Sequence, residues 1–203
     1  MKLLVLGATG ATGRLVVDQA LAAGHHVRAL VRSPEKLTAA SPALEVITGQ
    51  ATDPVQVGNA MAGVDAVIST LGAPKGSVIT DATRAIIAGS ATSGVRRVVV
   101  LSSYAVLRGR LSRPAGLMSR LAMGAVVKDK TAAEDLLRSS DLDWTIVHAV
   151  RLTNGPATGN VRVVPDRATL QMGDSIARAD VAAWLLTAAA DDSASRRAIA
   201  IAG

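Results

Sequence analysis

The sequence predicts an α/β domain: one mostly parallel, doubly wound sheet with helices on both faces. Three observations predict it. Short β-branched runs alternate with longer Ala- and Leu-rich stretches along the 203 residues, the rhythm of repeated strand–helix–strand units with right-handed crossovers. Runs such as Val98-Val99-Val100-Leu101 are apolar on both faces, as parallel strands covered by helices on each side must be. The first such run, Leu3-Leu4-Val5-Leu6, opens directly into Gly7-Ala8-Thr9-Gly10-Ala11-Thr12-Gly13-Arg14. Backbone that bare suits a tight strand-to-helix turn.

Taken in order, the strands are expected at Leu3–Leu6, Val27–Val31, Leu44–Thr48, Ala66–Ser69, Arg97–Leu101, Trp144–Val147 and Ala198–Ala202. The helices are expected at Thr12–Ala23, Pro54–Met61, Val78–Thr92, Thr131–Ser139 and Ala179–Ala190, with Asp180 as a helix-start residue. The length suits one buried core, so residues 1–203 read as a single domain. Residues from about 149 onward read as a small substrate-side portion. No repeat, linker or low-complexity tract interrupts the pattern.

Composition narrows the function. Hydrophobic residues make up 49% of the chain but aromatic ones only 1%, so the core is aliphatic. The apolar run at the start stops at Gly7, too short for the apolar segment of a signal peptide. No membrane span is expected, and a cytoplasmic location is the default. With no cysteine and three histidines, neither thiolate chemistry nor a metal site is expected. The net charge of +6 is concentrated: Arg108, Arg110, Arg113, Arg120 and Lys128 supply +5 between residues 105 and 128. A nucleic-acid binder needs basic charge spread over a face and aromatic rings for stacking. Here the only such rings are Tyr104, Trp144 and Trp184.

The glycines carry the first functional reading. The N-terminus of a helix offers unpaired N–H groups and the positive end of a dipole. An anion rests there only where backbone can approach closely. Gly7 is expected to make the turn, Gly10 to admit a pyrophosphate, and Gly13 to let helix and strand pack, with Thr9 and Thr12 adding hydroxyls. The end of the second strand then selects the cofactor. An acid there would accept from a ribose 2′-hydroxyl. This chain instead has Arg32, 19 positions after Gly13, with Lys36 one turn on. A guanidinium suits a 2′-phosphate, so NADP is the expected cofactor.

GATGATGR, LVRSPEKL, GVDAVISTLG, RRVVVLSS and DLDWTIV occur in that order. With them the chain resembles the atypical short-chain dehydrogenase/reductases. It is similar to the NAD(P)H-binding group that includes biliverdin IX beta reductase, also a flavin reductase, and the NmrA-like redox sensors. The resemblance implies a Rossmann-like fold. It implies a phosphate loop at Gly7, Thr9, Gly10, Ala11 and Thr12, and a 2′-phosphate site at Arg32 and Lys36. It places Gln50 and Ala51 beside the adenine, where the first position is commonly aspartate. It lays Thr70, Leu71 and Gly72 over the cofactor and sets Ser102 or Ser103 near the nicotinamide. Lys130 matches the lysine that binds the nicotinamide ribose.

Two departures bear on catalysis. Typical family members use Tyr-x-x-x-Lys, whereas Val126 stands four residues before Lys130. After the sixth strand the family commonly reads Arg-Pro-Gly, and here His148-Ala149-Val150 follows. His148 is therefore a candidate at the nicotinamide pocket, with a satisfied strand-end histidine as the favoured alternative. Tyr104, the only tyrosine, is a candidate acid if a neighbour such as Lys130 lowers its pKa.

Without the usual tyrosine, ketone reduction suffers most, because an alkoxide needs an acid. A flavin, quinone or tetrapyrrole spreads the arriving charge. The expected function is NADPH-dependent reduction of a small conjugated or aromatic acceptor. The basic segment follows the fifth strand, and ligands bind at strand carboxyl ends, so it reads as a lid attracting an anionic acceptor, with a solvated face or a docking surface for another protein as the alternatives. The alternative is a non-catalytic NAD(P)H-binding sensor. A sugar-nucleotide epimerase or dehydratase would need both the tyrosine and a longer C-terminal half. A monomer is favoured over a dimer.

Overall fold

The computed structural model describes all residues except 74–75, 108–112 and 170–172, with 113–123 described as backbone only. Ten strands and five helices follow in the order β1 (Lys2–Leu6), α1 (Ala11–Ala22), β2 (His26–Val31), β3 (Leu44–Thr48), α2 (Pro54–Met61), β4 (Ala66–Ser69), α3 (Val78–Ser93), β5 (Arg97–Ser103), α4 (Arg113–Ser139), β6 (Asp143–Ala149), β7 (Arg151–Thr153), β8 (Arg162–Val164), β9 (Ser175–Ala177), α5 (Arg178–Ala190) and β10 (Arg197–Ala202). Eight of the strands form one sheet in the order β3-β2-β1-β4-β5-β6-β10-β8. Every pairing in it is parallel except β8 on β10. The fold is thus the expected single Rossmann-like α/β domain.

Strand alternation sorts the core into two layers. Leu3 and Val5 of β1 point to one face and Leu4 and Leu6 to the other. α1 and α5 pack together over the first face, and α2, α3 and α4 over the second. The same parity governs β5 and β6. Val98 and Val100, with Trp144 and Ile146, face the α4 layer. Val99 and Leu101, with Val147 and Ala149, face α1 and α5. The strand order reverses between β1 and β4, and at such a switch point the strand ends diverge and leave a crevice.

The expected elements are present with shifts at their ends, and three differences matter. The helix expected from Thr131 begins at Arg113. Pro114 lies in its first turn, where a missing N–H costs nothing, and residues 117–128 are mostly good helix formers. The short strands β7, β8 and β9, of three residues each, carry too little alternation to be read from sequence. Asp180 is not the residue that opens α5. It sits two places inside the helix, and its carboxylate accepts from Thr158 N, Thr158 Oγ1 and Gly159 N at 2.8–3.1 Å. Burial works against its charged form, but these donors outweigh that and hold its pKa below the usual carboxylate range.

Candidate functional site

The turn after β1 is the tightest part of the groove. Gly7 adopts φ +84°, which a side chain would strain. A Cβ on Gly13 would lie 2.0 Å from the Gly7 carbonyl oxygen, so helix α1 can sit on this turn only because that position is bare. Thr70, just past β4, ties the turn from the other side: its N–H and Oγ1 both donate to Leu6 O, and Oγ1 also donates to Gly7 O. The first turn of α1 contains no acid, and no described side chain caps it. Gly10 and Ala11 are exposed, so the free N–H groups of α1 open onto the groove.

Two adjoining cavities occupy the strand carboxyl ends and share Gly10, Thr70, Leu71 and Gly72. The first, about 390 Å³, lies over β1–β3 and is lined by Gly7, Thr9, Arg32, Gln50, Ala51 and Thr52 among others. Arg32 is exposed at its rim. Lys36 is exposed on the neighbouring short turn and does not line the cavity. Its carbonyl accepts from the Arg14 guanidinium at 2.9 Å, so Arg14 joins this basic corner. Glu35 is exposed on the same short turn, and Asp53, after β3, caps α2 through Val55 N and Gln56 N.

The second cavity, about 500 Å³, lies over β5 and β6 and is lined by Ala11, Thr12, Ser102, Ser103, Tyr104 and Lys130, with Arg151, Leu152 and Arg178 on its far wall. Lys130 is 9% exposed and donates from Nζ to Leu101 O at 3.0 Å, leaving two of its three protons for other partners. Burial lowers its pKa to about 8, with Glu134 and Asp129 opposing that shift. Its neighbour Asp129 points the other way and accepts from Ile79 N, Thr80 N and Thr80 Oγ1, capping α3 from across the helix pair.

The two serines differ. Ser102 donates its proton to Glu134 Oε1 at 2.5 Å, so it offers the cavity only lone pairs. Ser103 accepts from Ala105 N at 3.3 Å and, among the described residues, donates to none, so its proton is available. Glu134 also receives His148 Nε2, at 2.9 and 3.1 Å to its two oxygens, and Arg138 Nη2 at 2.9 Å. Burial works against the charged carboxyl, but His148, Ser102 and Arg138 together hold its pKa below the usual glutamate range.

His148 corrects an expectation. Its ring is 1% exposed, shares the α4 face with Trp144 and Ile146, and does not line either cavity. Parity along β6 turns it toward Glu134 rather than toward the groove. Gly13 also lies behind the groove, in its packing role. Apart from Gly13, Lys36 and His148, the site residues singled out from the sequence, from Gly7 through Lys130, line one cavity or both. Arg108 and Arg110, and the side chains of Arg113 and Arg120, lie outside the described residues. Lys128 is exposed beside a separate surface depression. Sequence reasoning missed Glu134, whose motif Lys-Thr-Ala-Ala-Glu puts it one helical turn from Lys130. It also missed Arg151, on a three-residue strand, and Arg178, which opens α5 one residue before the expected start of that helix.

A sequence model of the NAD(P)H-binding family matches residues 7–192. The chain belongs to that family. Its fold is an NAD(P)H-binding oxidoreductase fold. A (4-alkanoyl-5-oxo-2,5-dihydrofuran-3-yl)methyl phosphate reductase of Streptomyces griseus is 35% identical over 145 residues, 71% of this chain and 46% of that one. The chain spans less than two thirds of the length of the curated relatives it matches first. An anaerobillin reductase from Escherichia coli O157:H7 superposes with a TM-score of 0.85 at 27% identity, covering 99% of this chain and 96% of that one. A short-chain dehydrogenase/reductase from Veillonella parvula, solved in complex with NADP, superposes with a TM-score of 0.87 at 19% identity, covering 100% and 94%. Among the described residues no helix is long and apolar enough to cross a membrane.

Proposed function

We propose that this protein is an NADPH-dependent reductase that delivers hydride to a small conjugated or aromatic acceptor of the flavin, quinone or tetrapyrrole type. One observation carries the reading. A single groove runs from an exposed guanidinium, Arg32, past an uncapped helix N-terminus to an acceptor-sized cavity beside Ser103, Tyr104 and Lys130. A dinucleotide phosphate fits this arrangement: the bare Gly10 and the free N–H groups of α1 suit the pyrophosphate, and Arg32, with Arg14 close by, suits the 2′-phosphate. The reductase activities of the Streptomyces and Escherichia relatives, and the NADP held by the Veillonella protein, support the same reading.

Bound nicotinamide supplies the hydride; the protein supplies position and electrostatics. Lys130 keeps a positive charge at the strand end, where a ribose hydroxyl can accept from it. Ser102 presents an acceptor and Ser103 a donor, so the pair can orient a carboxamide or a carbonyl. Val126, in the place of the usual tyrosine, does not line the groove and cannot donate a proton. That favours acceptors whose arriving charge is delocalised and protonated by solvent. It also favours the second reading, a sensor that binds NAD(P)H without turnover.

NADPH oxidation followed with FMN and with a simple quinone separates the two. Turnover with either acceptor supports a reductase, and tight NADPH binding with none supports a sensor. Arg32→Ala is expected to weaken NADPH by about ten- to a hundredfold, the loss of one or two charge-assisted hydrogen bonds, with little effect on NADH. Equal losses for the two cofactors, measured by calorimetry, would remove Arg32 as the selector.

A further inference from the structure

We infer that the cavity over β5 and β6 has an oxyanion subsite, formed by Arg151 and Arg178, that selects acceptors carrying a phosphate or a carboxylate. The inference rests on the reductase reading of this groove and names the class of acceptor it takes. Among the described residues the cavity lining holds three cations, Lys130, Arg151 and Arg178, and no carboxylate. Lys130 is tied to Leu101 O and lies on the β5 side. The two arginines form the opposite wall.

Their placement is fixed by the small parallel sheet of β7 and β9. Arg151 opens β7, and Arg178 follows directly after β9, whose last residue, Ala177, pairs with Thr153 at the other end of β7. The register therefore separates the two guanidinium-bearing positions by about 10 Å along the strands, three residues at about 3.3 Å each. That spacing suits one phosphate reached from two sides, or a pair of carboxylates. Arg178 is half-buried and donates from Nη1 to Asn154 Oδ1 at 2.7 Å, which orients the fork and leaves its other N–H groups unspent.

Neither arginine has a carboxylate partner among the described residues. Three other exposed arginines do have acidic partners: Arg84 with Asp81, Arg96 with Asp143, and Arg162 with Asp174. Two unneutralised guanidiniums facing a partly apolar cavity disfavour a neutral ligand, which would strip their water and return no hydrogen bond. An oxyanion restores those bonds bidentately. Charge density of this sign also raises the local concentration of anionic substrates. The basic segment 105–128 is not needed for that effect.

The test is binding to the NADP⁺-saturated protein, measured by calorimetry with two matched pairs: FMN against riboflavin, and biliverdin against its dimethyl ester. Within each pair the ring system is the same, and only the oxyanion differs. The expected result is that at least one anionic member binds about tenfold or more tightly than its neutral partner. A preference in the first pair assigns a phosphate, and in the second a carboxylate. In Arg151→Gln and Arg178→Gln the ratio falls to within about threefold, close to the loss of a single bond. Arg151 is exposed, so its variant keeps the test usable if Arg178→Gln fails to fold. No preference in either pair overturns the inference. So does a parallel fall in NADP⁺ affinity in the variants, which would give the arginines to the cofactor. A protein that binds no NADP⁺ at all overturns the reductase reading itself, and the subsite with it.

Discussion

The two halves of the groove are built by opposite means. Over β1–β3 the chain uses neighbours in sequence and mostly backbone: Gly7, Gly10, the start of α1, and a guanidinium at the end of the next strand. Over β5 and β6 it uses side chains brought from far apart. Ser102 meets Glu134 and His148 from two other elements, Lys130 reaches back to Leu101, and the far wall comes from residues 151 and 178. A backbone cradle is set by what residues lack, so it tolerates little addition. A side-chain cluster is set by what residues carry, so it tolerates little removal.

The largest expected effect breaks the second half. Glu134→Ala leaves His148 and the Ser102 hydroxyl buried without their carboxylate. Removing one partner of a buried charged cluster costs about 3–5 kcal/mol, so the melting temperature should fall by roughly 10 °C or more. The acid limb of stability should change as well. The Glu134 pKa is held below its ordinary value, so its contribution is full above the ordinary glutamate range and is lost as pH falls through the lowered value. Calorimetric melting of wild type and variant across acidic pH checks both points. Equal melting temperatures at neutral pH would show that the cluster carries no stability.

Next comes the first half. Gly13→Ala forces a Cβ against the Gly7 carbonyl, a backbone atom that cannot swing away. Overpacking of this kind costs about 1–3 kcal/mol, here at the upper end, and displaces the turn. NADPH binding should be lost even where the variant still folds, as fluorescence titration would show. Retained binding would mean that the cradle is softer than its geometry implies.

The smallest effect sharpens the contrast. Lys130 has a folded pKa of about 8, well below that of an exposed lysine. The unfolded chain therefore holds a proton that the folded one releases, and stability from this group rises as pH goes from about 8 toward the ordinary lysine value. Between pH 8 and 9 the gain is on the order of 1 kcal/mol, or about 2–4 °C in melting temperature. Lys130→Met should lack that rise, and a parallel pH profile in the variant would contradict it.

This asymmetry also explains what the sequence disclosed. The sheet, its helices and the glycine turn were legible because period-2 and glycine patterns are local. Arg32 was legible because its distance from the glycines is set by one helix and one strand. His148 was legible in part: its parity with Trp144 and Ile146 already turned it toward α4, but nothing local named Glu134 as the group that receives it. Arg151 stayed hidden because a three-residue strand leaves no periodic trace, and Arg178 because nothing local marks the first residue of a helix as facing a groove; only the fold brings them to one wall.

Asp129 and Lys130 are adjacent in the chain yet hold opposite ends of the crevice. One grips the start of α3, beyond the loop that leaves Thr70-Leu71-Gly72, and the other grips the Leu101 carbonyl near the end of β5. Successive residues of one helix move as a rigid pair. The two banks of the crevice are thus fastened to neighbouring positions of one helix, so a substitution that displaces α4 there would be felt on both.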